Sequence, residues 1–141
     1  MKYTSTLSMP IAYGQFLEKT NWTFYCTLTT SYPLTLNSAR KSVERYHKSL
    51  KENFKLENEI FWIAEPFDSK YGYHLHALIK LNCLRPESYS NTLNKVWQLV
   101  TKGSYGPKYN KCIFEPYKAN TGGNFYVCKL IGRNDIEYGF L

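Results

Sequence analysis

The chain has 141 residues, of which 43% are hydrophobic, and this suits one domain with its own core and no need for disulfides or a structural metal. The net charge is +7, and aromatic residues make up 17% of the chain, so a polyanionic partner is one expectation and a charge that serves only solubility is an equal alternative. No apolar run approaches the roughly twenty residues of a membrane span, which excludes a membrane protein or partner.

The cysteines and the N-terminus indicate the compartment. None of the four cysteines forms a Cys-x-x-Cys pair, and the N-terminus lacks the charged, apolar and small-residue order of a secretory signal. We therefore expect reduced thiols and a cytoplasmic protein, or one in the host cytoplasm if it is viral. The cysteines are Cys26, Cys83, Cys112 and Cys128.

The chain is predicted to be a single domain spanning residues 1–141. Residues 1–21 are predicted to be a polar, irregular N-terminal lead-in, in which Pro10 and Gly14 interrupt regular structure and a short helix lies near residues 15–19. Residues 22–30, WTFYCTLTT, alternate and are rich in aromatic residues and Thr, which predicts a strand in the centre of the sheet.

An amphipathic helix is predicted next, packed on the sheet. Asn37 or Ser38 can cap it, and apolar residues recur at three- and four-residue intervals as far as Phe54, with basic residues on the other side. His47 lies on this helix with no expected partner and is interpreted as structural.

Strands and helices alternate over the rest of the chain. Residues 59–65 and 73–81 predict two strands, and the turn residues of PFDSKYG join them as an antiparallel hairpin. A helix over residues 87–100 and a strand over 111–117 follow. A last helix, NFYVCKLIG, opens after Gly122 and Gly123, and residues 133–141 are expected to be a polar tail.

This element order predicts an α+β fold. Helices are expected on one face of a mostly antiparallel sheet, and a ferredoxin-like or RRM-like plaited sheet is the closest simple template. The sequence contains no internal repeats and no low-complexity segment.

His74 and His76 are candidate metal ligands. They lie two residues apart on a predicted strand, so their side chains emerge on the same face. Glu65 ends the neighbouring strand and can lie beside them if the hairpin register allows it. Two imidazoles and one carboxylate with open positions suit a catalytic divalent ion, and we expect Mg²⁺ or Mn²⁺. The alternative is that the histidines are merely exposed or satisfied in the core.

Tyr126 and Lys129 are the candidate catalytic pair. They lie three residues apart on the last predicted helix and therefore share a face. A tyrosine can attack phosphorus, and a lysine one turn away can steady a phosphate or a phenolate. The alternative is that Tyr126 simply packs the helix on the sheet.

Three segments, in the same order, resemble the HUH superfamily of rolling-circle replication initiators, the Rep endonucleases. Residues 61–81, FWIAEPFDSKYGYHLHALIKL, resemble the family segment in which an acidic metal ligand precedes a His-hydrophobe-His motif. WTFYCTLTT resembles the first motif, and KCIFEPYKANTGGNFYVCKLI resembles the last strand with its Tyr-x-x-Lys helix. The resemblance implies a five-stranded antiparallel sheet with flanking helices. It further implies a metal held by Glu65, His74 and His76, a nucleophile at Tyr126 and assistance from Lys129.

The implied activity is metal-dependent nicking and joining of single-stranded DNA at an origin, through a covalent 5′-phosphotyrosine. Position 130 is Leu, so the chain resembles the single-tyrosine type, and Tyr138 is not expected to be a second nucleophile. A single strand or an origin hairpin is the expected substrate, with a helicase as a further partner and the protein acting as monomer or homodimer. None of the 141 residues resembles a helicase domain, so we expect either a small phage, plasmid or archaeal-virus-like initiator or a piece of a longer protein. The basic residues proposed to contact the DNA backbone, or else to form a solvated face, are Arg40, Lys41 and Lys48.

The sequence is also compatible with three other functions. A single-tyrosine HUH transposase has similar chemistry, but such proteins tend to take a third ligand from the tyrosine helix, often a glutamine, where this chain has Lys129. A nucleic-acid-binding domain without catalysis shares the plaited sheet, although the RNP pattern of RRM modules is absent. A plasmid-transfer relaxase is usually larger and carries three histidine ligands.

Overall fold

A five-stranded antiparallel sheet with helices packed against it forms the fold in the computed structural model, which describes residues 9–101, 112–119, 121–133 and 135–141. The chain is therefore α+β, as predicted. The helices are α1 (Met9–Leu17), α2 (Leu36–Glu52), α3 (Ser90–Val100) and α4 (Gly123–Val127). The strands are β1 (Phe24–Leu28), β2 (Asn58–Pro66), β3 (Tyr73–Leu81), β4 (Ile113–Pro116) and β5 (Glu137–Phe140).

The order of strands across the sheet is β4-β1-β3-β2-β5. The first four strands with α2 and α3 form the plaited, ferredoxin-like arrangement that the sequence predicted, and β5 adds a fifth strand beside β2. The central strand is β3, which pairs with both β1 and β2. The prediction that the first strand is central was wrong by one position, because β1 lies between β4 and β3.

Helices cover both faces of the sheet, so the prediction of helices on one face was wrong. On one face, α2 and α3 pack against the side chains of Phe24, Trp62 and Ala77. On the opposite face, α1 and α4 pack around Phe61 and Leu78. The reason is visible in β2 and β3, which are apolar at consecutive positions, as strands buried on both faces are. Among the described residues, no helix combines the length and apolar character needed to cross a membrane.

Helix α2 begins two to three residues earlier than predicted, because its cap is Thr35 and not Asn37 or Ser38. The Thr35 hydroxyl accepts a hydrogen bond from the Ser38 amide at 3.0 Å, and the Ser38 hydroxyl accepts one from the Thr35 amide at 2.8 Å. The helix ends at Glu52, shortly before the predicted end at Phe54.

His47 has a structural partner that the sequence did not reveal. Its Nδ1 lies 2.8 Å from Oδ1 of Asn58, and the Asn58 amide group donates to the backbone oxygens of His47 and Leu56. Because Asn58 is buried at the start of β2, this contact connects α2 to the first residue of that strand. The structural interpretation of His47 therefore fits, and the expectation that it lacks a partner was wrong.

The remaining boundaries differ modestly from the predictions. Helix α1 starts earlier than the short helix predicted at residues 15–19. The helix predicted over residues 87–100 begins as a 3-10 turn, Pro86–Tyr89, before α3. The strand predicted over residues 111–117 is shorter, and Lys111 lies outside the described residues. The hairpin of β2 and β3 agrees closely with its prediction.

The predicted polar tail was wrong over residues 137–140, which form strand β5 against β2. The backbone amides of Ile60 and Leu141 each donate to the other residue's carbonyl, at 2.9 and 2.7 Å. Gly139 lies opposite Trp62, and its missing side chain is required there, because a Cβ would stand 2.9 Å from the indole Nε1.

Replacing Gly139 with Ala is expected to destabilise the protein by about 1–3 kcal/mol, since the added methyl group overpacks against a rigid, buried indole. Urea unfolding followed by Trp fluorescence measures this change. The neighbouring Glu137→Ala variant is the control. It loses only an exposed ion pair with Arg40, worth less than about 1 kcal/mol. Equal stability of the Gly139→Ala variant and the wild type would contradict the packing of β5 on Trp62.

Candidate metal and tyrosine site

Three predicted ligands meet on one face of the sheet, where β2 ends and β3 begins. The hairpin register sets Glu65 directly opposite His74, and His76 follows two residues later on the same face. The two histidine Nε2 atoms are 3.0 Å apart, and His76 Nε2 is 3.5 Å from Oε2 of Glu65. Potential ligand atoms of all three residues lie within 4.8 Å of one another. This group, Glu65 with His74 and His76, is called the metal triad below.

Burial keeps both imidazoles of the metal triad in the neutral form that can bind a cation. Glu65 is 5% exposed and His76 is 9% exposed. Desolvation, helped by the neighbouring His74 and Lys129, lowers the pKa of His76 to about 4. Burial also lowers the pKa of His74 and raises the pKa of Glu65, whose charge is stabilised by Lys129. At neutral pH each ring therefore offers a nitrogen lone pair.

An unpartnered carboxylate oxygen supports the fit of the metal triad to a cation. Oε2 of Glu65 lies 3.5 Å from Nε2 of His76, is buried and has no hydrogen-bond partner within the described part of the chain. A buried oxygen of this kind is costly unless a ligand satisfies it. Two ligands that bind one ion at about 2.1 Å and at a right angle are about 3 Å apart, which matches the separation of the two Nε2 atoms. The metal triad can therefore hold a metal ion.

Thr27 orients the outer side of His76. Its hydroxyl lies 3.4 Å from Nδ1 of His76, on the adjacent strand β1, where the two residues are direct cross-strand neighbours. A partner on the outer nitrogen fixes the tautomer and the ring angle of a ligating histidine. Thr27 is thus a positioning residue for the metal triad.

The Thr27→Val variant is expected to bind Mn²⁺ about tenfold more weakly, because it loses the hydroxyl and keeps the side-chain shape. Isothermal titration measures the affinity. The Thr27→Ser variant, which keeps the hydroxyl, should bind nearly as well as the wild type. Equal affinity of the Val and Ser variants would rule out this role of Thr27.

Tyr126 and Lys129 lie close together although the helix that was predicted to carry both ends before the lysine. Helix α4 stops at Val127, and single turns of backbone continue the chain to Gly132. The Lys129 amide donates to the Tyr126 carbonyl at 3.2 Å, which keeps the spacing of about one turn. Nζ of Lys129 stands 3.9 Å from the centre of the Tyr126 ring. The Tyr126 side chain beside it is the main cause that raises the pKa of Lys129, and Glu65 adds to it, so the lysine stays cationic.

This pair lies beside the metal triad. The rings of Tyr126 and His76 have centroids 6.1 Å apart, and Nζ of Lys129 is 3.9 Å from Oε1 of Glu65. Val127 and Cys128 are fully buried beneath, while Tyr126 is 52% exposed. All five residues predicted as the site are therefore brought together on one face, and the tyrosine is open to a substrate.

Asn124 holds the tyrosine helix in place, a role that the sequence did not indicate. Its side-chain amide donates to the backbone oxygen of Gly14 in α1 at 2.7 Å, and its Oδ1 accepts from the Tyr117 hydroxyl. Asn124 is 2% exposed. The segment predicted as a lead-in thus contributes helix α1 as a support for α4.

A groove of about 590 Å³ adjoins Tyr126, and we name it the tyrosine groove. Tyr25 lines the groove, and Gly123 packs so closely on it that a Cβ would stand 3.2 Å from the ring. Burial, with Tyr126 and Glu65 nearby, raises the pKa of Tyr25 well above its usual value, so its hydroxyl stays protonated. The sequence did not indicate this groove. Its lining residues include Tyr25, Glu115, Tyr117, Lys118, Gly123 and Tyr126.

Other candidates lie away from this face. The basic residues proposed to contact DNA belong to α2, which packs on the opposite face of the sheet, and Arg40 pairs with Glu137 at 3.1 Å. Those residues are not brought to the site. The Tyr138 hydroxyl donates to the Tyr13 hydroxyl at 3.4 Å, and its ring packs edge-on against Tyr13. Tyr138 thus has a packing role in the structure.

Comparison with known proteins returned no match. No protein-family model matches the chain, and neither a curated protein nor a solved structure matches it at a significant level. A functional conclusion therefore depends on the geometry and chemistry of the site itself.

Proposed function

We propose that the protein is a metal-dependent endonuclease of the HUH replication-initiator type, which nicks and rejoins single-stranded DNA through a covalent bond to Tyr126. The observation that carries this proposal is the convergence of an exposed tyrosine, a lysine and the metal triad on one sheet face. A tyrosine that only packed the helix would be buried, and Tyr126 is 52% exposed.

The metal triad would hold the ion through the two histidine rings and the Glu65 carboxylate, and Mg²⁺ or Mn²⁺ suits such a mixed set of nitrogen and oxygen ligands. When bound, the ion supplies a positive charge that polarises the scissile phosphate. Cysteine ligands, which would favour a closed structural zinc site, are absent from the group.

In the proposed reaction the Tyr126 oxygen forms a bond to phosphorus and the bond from phosphorus to the 3′ oxygen breaks. The phenolic proton leaves the tyrosine, and the 3′ oxygen gains a proton as it departs, so the products are a 5′-phosphotyrosine and a free 3′ hydroxyl. Lys129 stands against the ring and remains cationic, which stabilises negative charge on the phenolate and on the phosphate. The phosphodiester link is conserved in the product, so a second 3′ hydroxyl can reverse the step without ATP.

A single strand or an extruded origin hairpin is the proposed substrate. A net charge of +7 favours a polyanion, and the tyrosine groove beside Tyr126 offers aromatic faces to unpaired bases. A duplex would keep those bases stacked on each other. A helicase that supplies the single strand would be a partner of this activity.

Covalent trapping tests the proposal. The protein is incubated with Mn²⁺ and a diverse pool of labelled single strands, and a denaturing gel is searched for label that migrates with the protein. We expect such an adduct with Mn²⁺ and its absence with excess EDTA. Binding of the pool without any adduct would favour a nucleic-acid-binding domain instead. An adduct from a dimer that exchanges its tyrosine helices would favour the transposase alternative.

A further inference from the structure

The tyrosine groove combines aromatic surfaces with one carboxylate and one ammonium group. Tyr25 and Glu115 are cross-strand neighbours on β1 and β4, so their side chains emerge side by side on the face that carries Tyr126. Lys118 lines the groove just beyond β4. With a volume of about 590 Å³, the groove is within the range of small-ligand sites and large enough for one nucleotide.

The groove is held in shape by packing that is independent of any ligand. Gly123 lies against the rings of Tyr25 and Tyr117, with a hypothetical Cβ at 3.2 and 3.5 Å from them. The Tyr117 hydroxyl bonds to Asn124, which is itself anchored to α1. The aromatic side chains that line the groove therefore need little ordering when a base stacks on them.

Glu115 is an unusual residue for a site that receives a polyanion. Its side chain is exposed, and within the described residues it forms no hydrogen bond or ion pair. A carboxylate next to phosphates is repulsive unless it accepts hydrogen bonds from the base. Its presence in the groove therefore indicates a base that offers donors.

Guanine matches this arrangement better than any other base. Its Watson–Crick edge presents two adjacent N–H donors, N1–H and the 2-amino group, and a carboxylate can accept both at once. Next to these donors lies the O6 acceptor, which can accept a hydrogen bond from the protonated hydroxyl of Tyr25. Adenine and cytosine place an acceptor beside their amino group, and thymine has a single N–H between two acceptors.

We propose that the tyrosine groove holds one unpaired guanine of the DNA strand, next to the phosphate at Tyr126, with Glu115 as the residue that selects it. Lys118 then contacts an adjacent phosphate, and the tyrosine rings stack on the base. This inference rests on the proposed function, because it takes single-stranded DNA as the substrate.

Equilibrium binding in EDTA tests the inference without any cleavage. The probes are fluorescent oligothymidines of about 12 nucleotides, a length suited to one small binding domain. They carry a central guanine, a central hypoxanthine, which lacks the 2-amino group, or thymine throughout. We expect the wild type to bind the guanine probe on the order of tenfold more tightly than the all-thymine probe, with hypoxanthine between them.

The Glu115→Gln variant is expected to lose this preference, so that the guanine and thymine probes bind within about twofold of each other. Glu59→Gln is the matched control, because Glu59 lies on the same sheet face, partly exposed, and does not line the groove. Both variants lose one negative charge, so each should bind the all-thymine probe somewhat more tightly than the wild type does. The Glu59→Gln variant should keep the tenfold preference. The Lys118→Gln variant should bind all three probes more weakly than the wild type does, by the same factor for each.

Two results would overturn the inference. The first is equal binding of the guanine and thymine probes by the wild type, and the second is a guanine preference that persists in Glu115→Gln. Neither result bears on the adduct of Tyr126, which is measured separately with Mn²⁺. Absence of binding to every probe would instead contradict the proposed function, and this inference with it.

Discussion

The Tyr126→Phe variant is expected to form no covalent adduct with single-stranded DNA, a fall of at least about a thousandfold. The change removes one oxygen and leaves the ring, so the contact with Lys129 and the packing of α4 persist. Binding of the DNA and of Mn²⁺ should therefore stay close to wild type. The measurement is the yield of labelled adduct on a denaturing gel, with folding checked by circular dichroism.

Tyr138→Phe is the matched control for this experiment. Tyr138 is the other tyrosine near the C-terminus, and its hydroxyl is engaged with Tyr13 on strand β5. Its removal should leave the adduct unchanged. An adduct that survives in Tyr126→Phe, or disappears in Tyr138→Phe, would assign the nucleophile to another residue.

Replacing His76 with Ala is expected to remove both metal binding and adduct formation. His76 is central to the metal triad, since its Nε2 faces both His74 and Glu65. Charge stabilisation by a bound ion is worth several kcal/mol, and a loss of about 4 kcal/mol lowers the rate about a thousandfold. With the wild type, saturating Mn²⁺ should raise Tm by about 5 to 10 °C, because the ion binds only the folded protein. The His76→Ala variant should show no such rise.

His47→Ala separates loss of metal from loss of stability. His47 contacts Asn58 on the opposite side of the sheet from the metal triad, so the variant should lose about 1 kcal/mol of stability. It should nevertheless keep the full rise in Tm with Mn²⁺ and the full yield of adduct. A rise in Tm that survives in His76→Ala would show that the ion binds elsewhere.

The position of the metal triad was predictable because strand geometry is simple. Two histidines separated by one residue on a strand must share a face, and a hairpin with clear turn residues brings the preceding strand alongside. The proximity of Tyr126 to these two strands was expected only from the resemblance to the HUH family. Local periodicity cannot reveal it, because helix α4 is only five residues long and its position depends on Asn124 and α1.

The features that the sequence did not predict also depend on contacts between residues that are far apart in the chain. Strand β5 has four residues with a central glycine, and it forms because Gly139 fits over Trp62, a contact far apart in sequence. Helices on both faces followed from the continuous apolar runs of β2 and β3, which periodicity alone reads ambiguously. A role for Glu115 was not predicted, because the residue belongs to the groove only through its position beside Tyr25 in the folded sheet.

Mass spectrometry of the trapped adduct tests the central claim most directly. After the DNA is digested to a short remnant and the protein to peptides, the modified peptide is fragmented to find the attachment site. The account predicts a nucleotide joined by its 5′ phosphate to the oxygen of Tyr126, formed only with a divalent metal present. A nucleotide on any other side chain, or strands cut with a free 5′ phosphate and no attached protein, would contradict it.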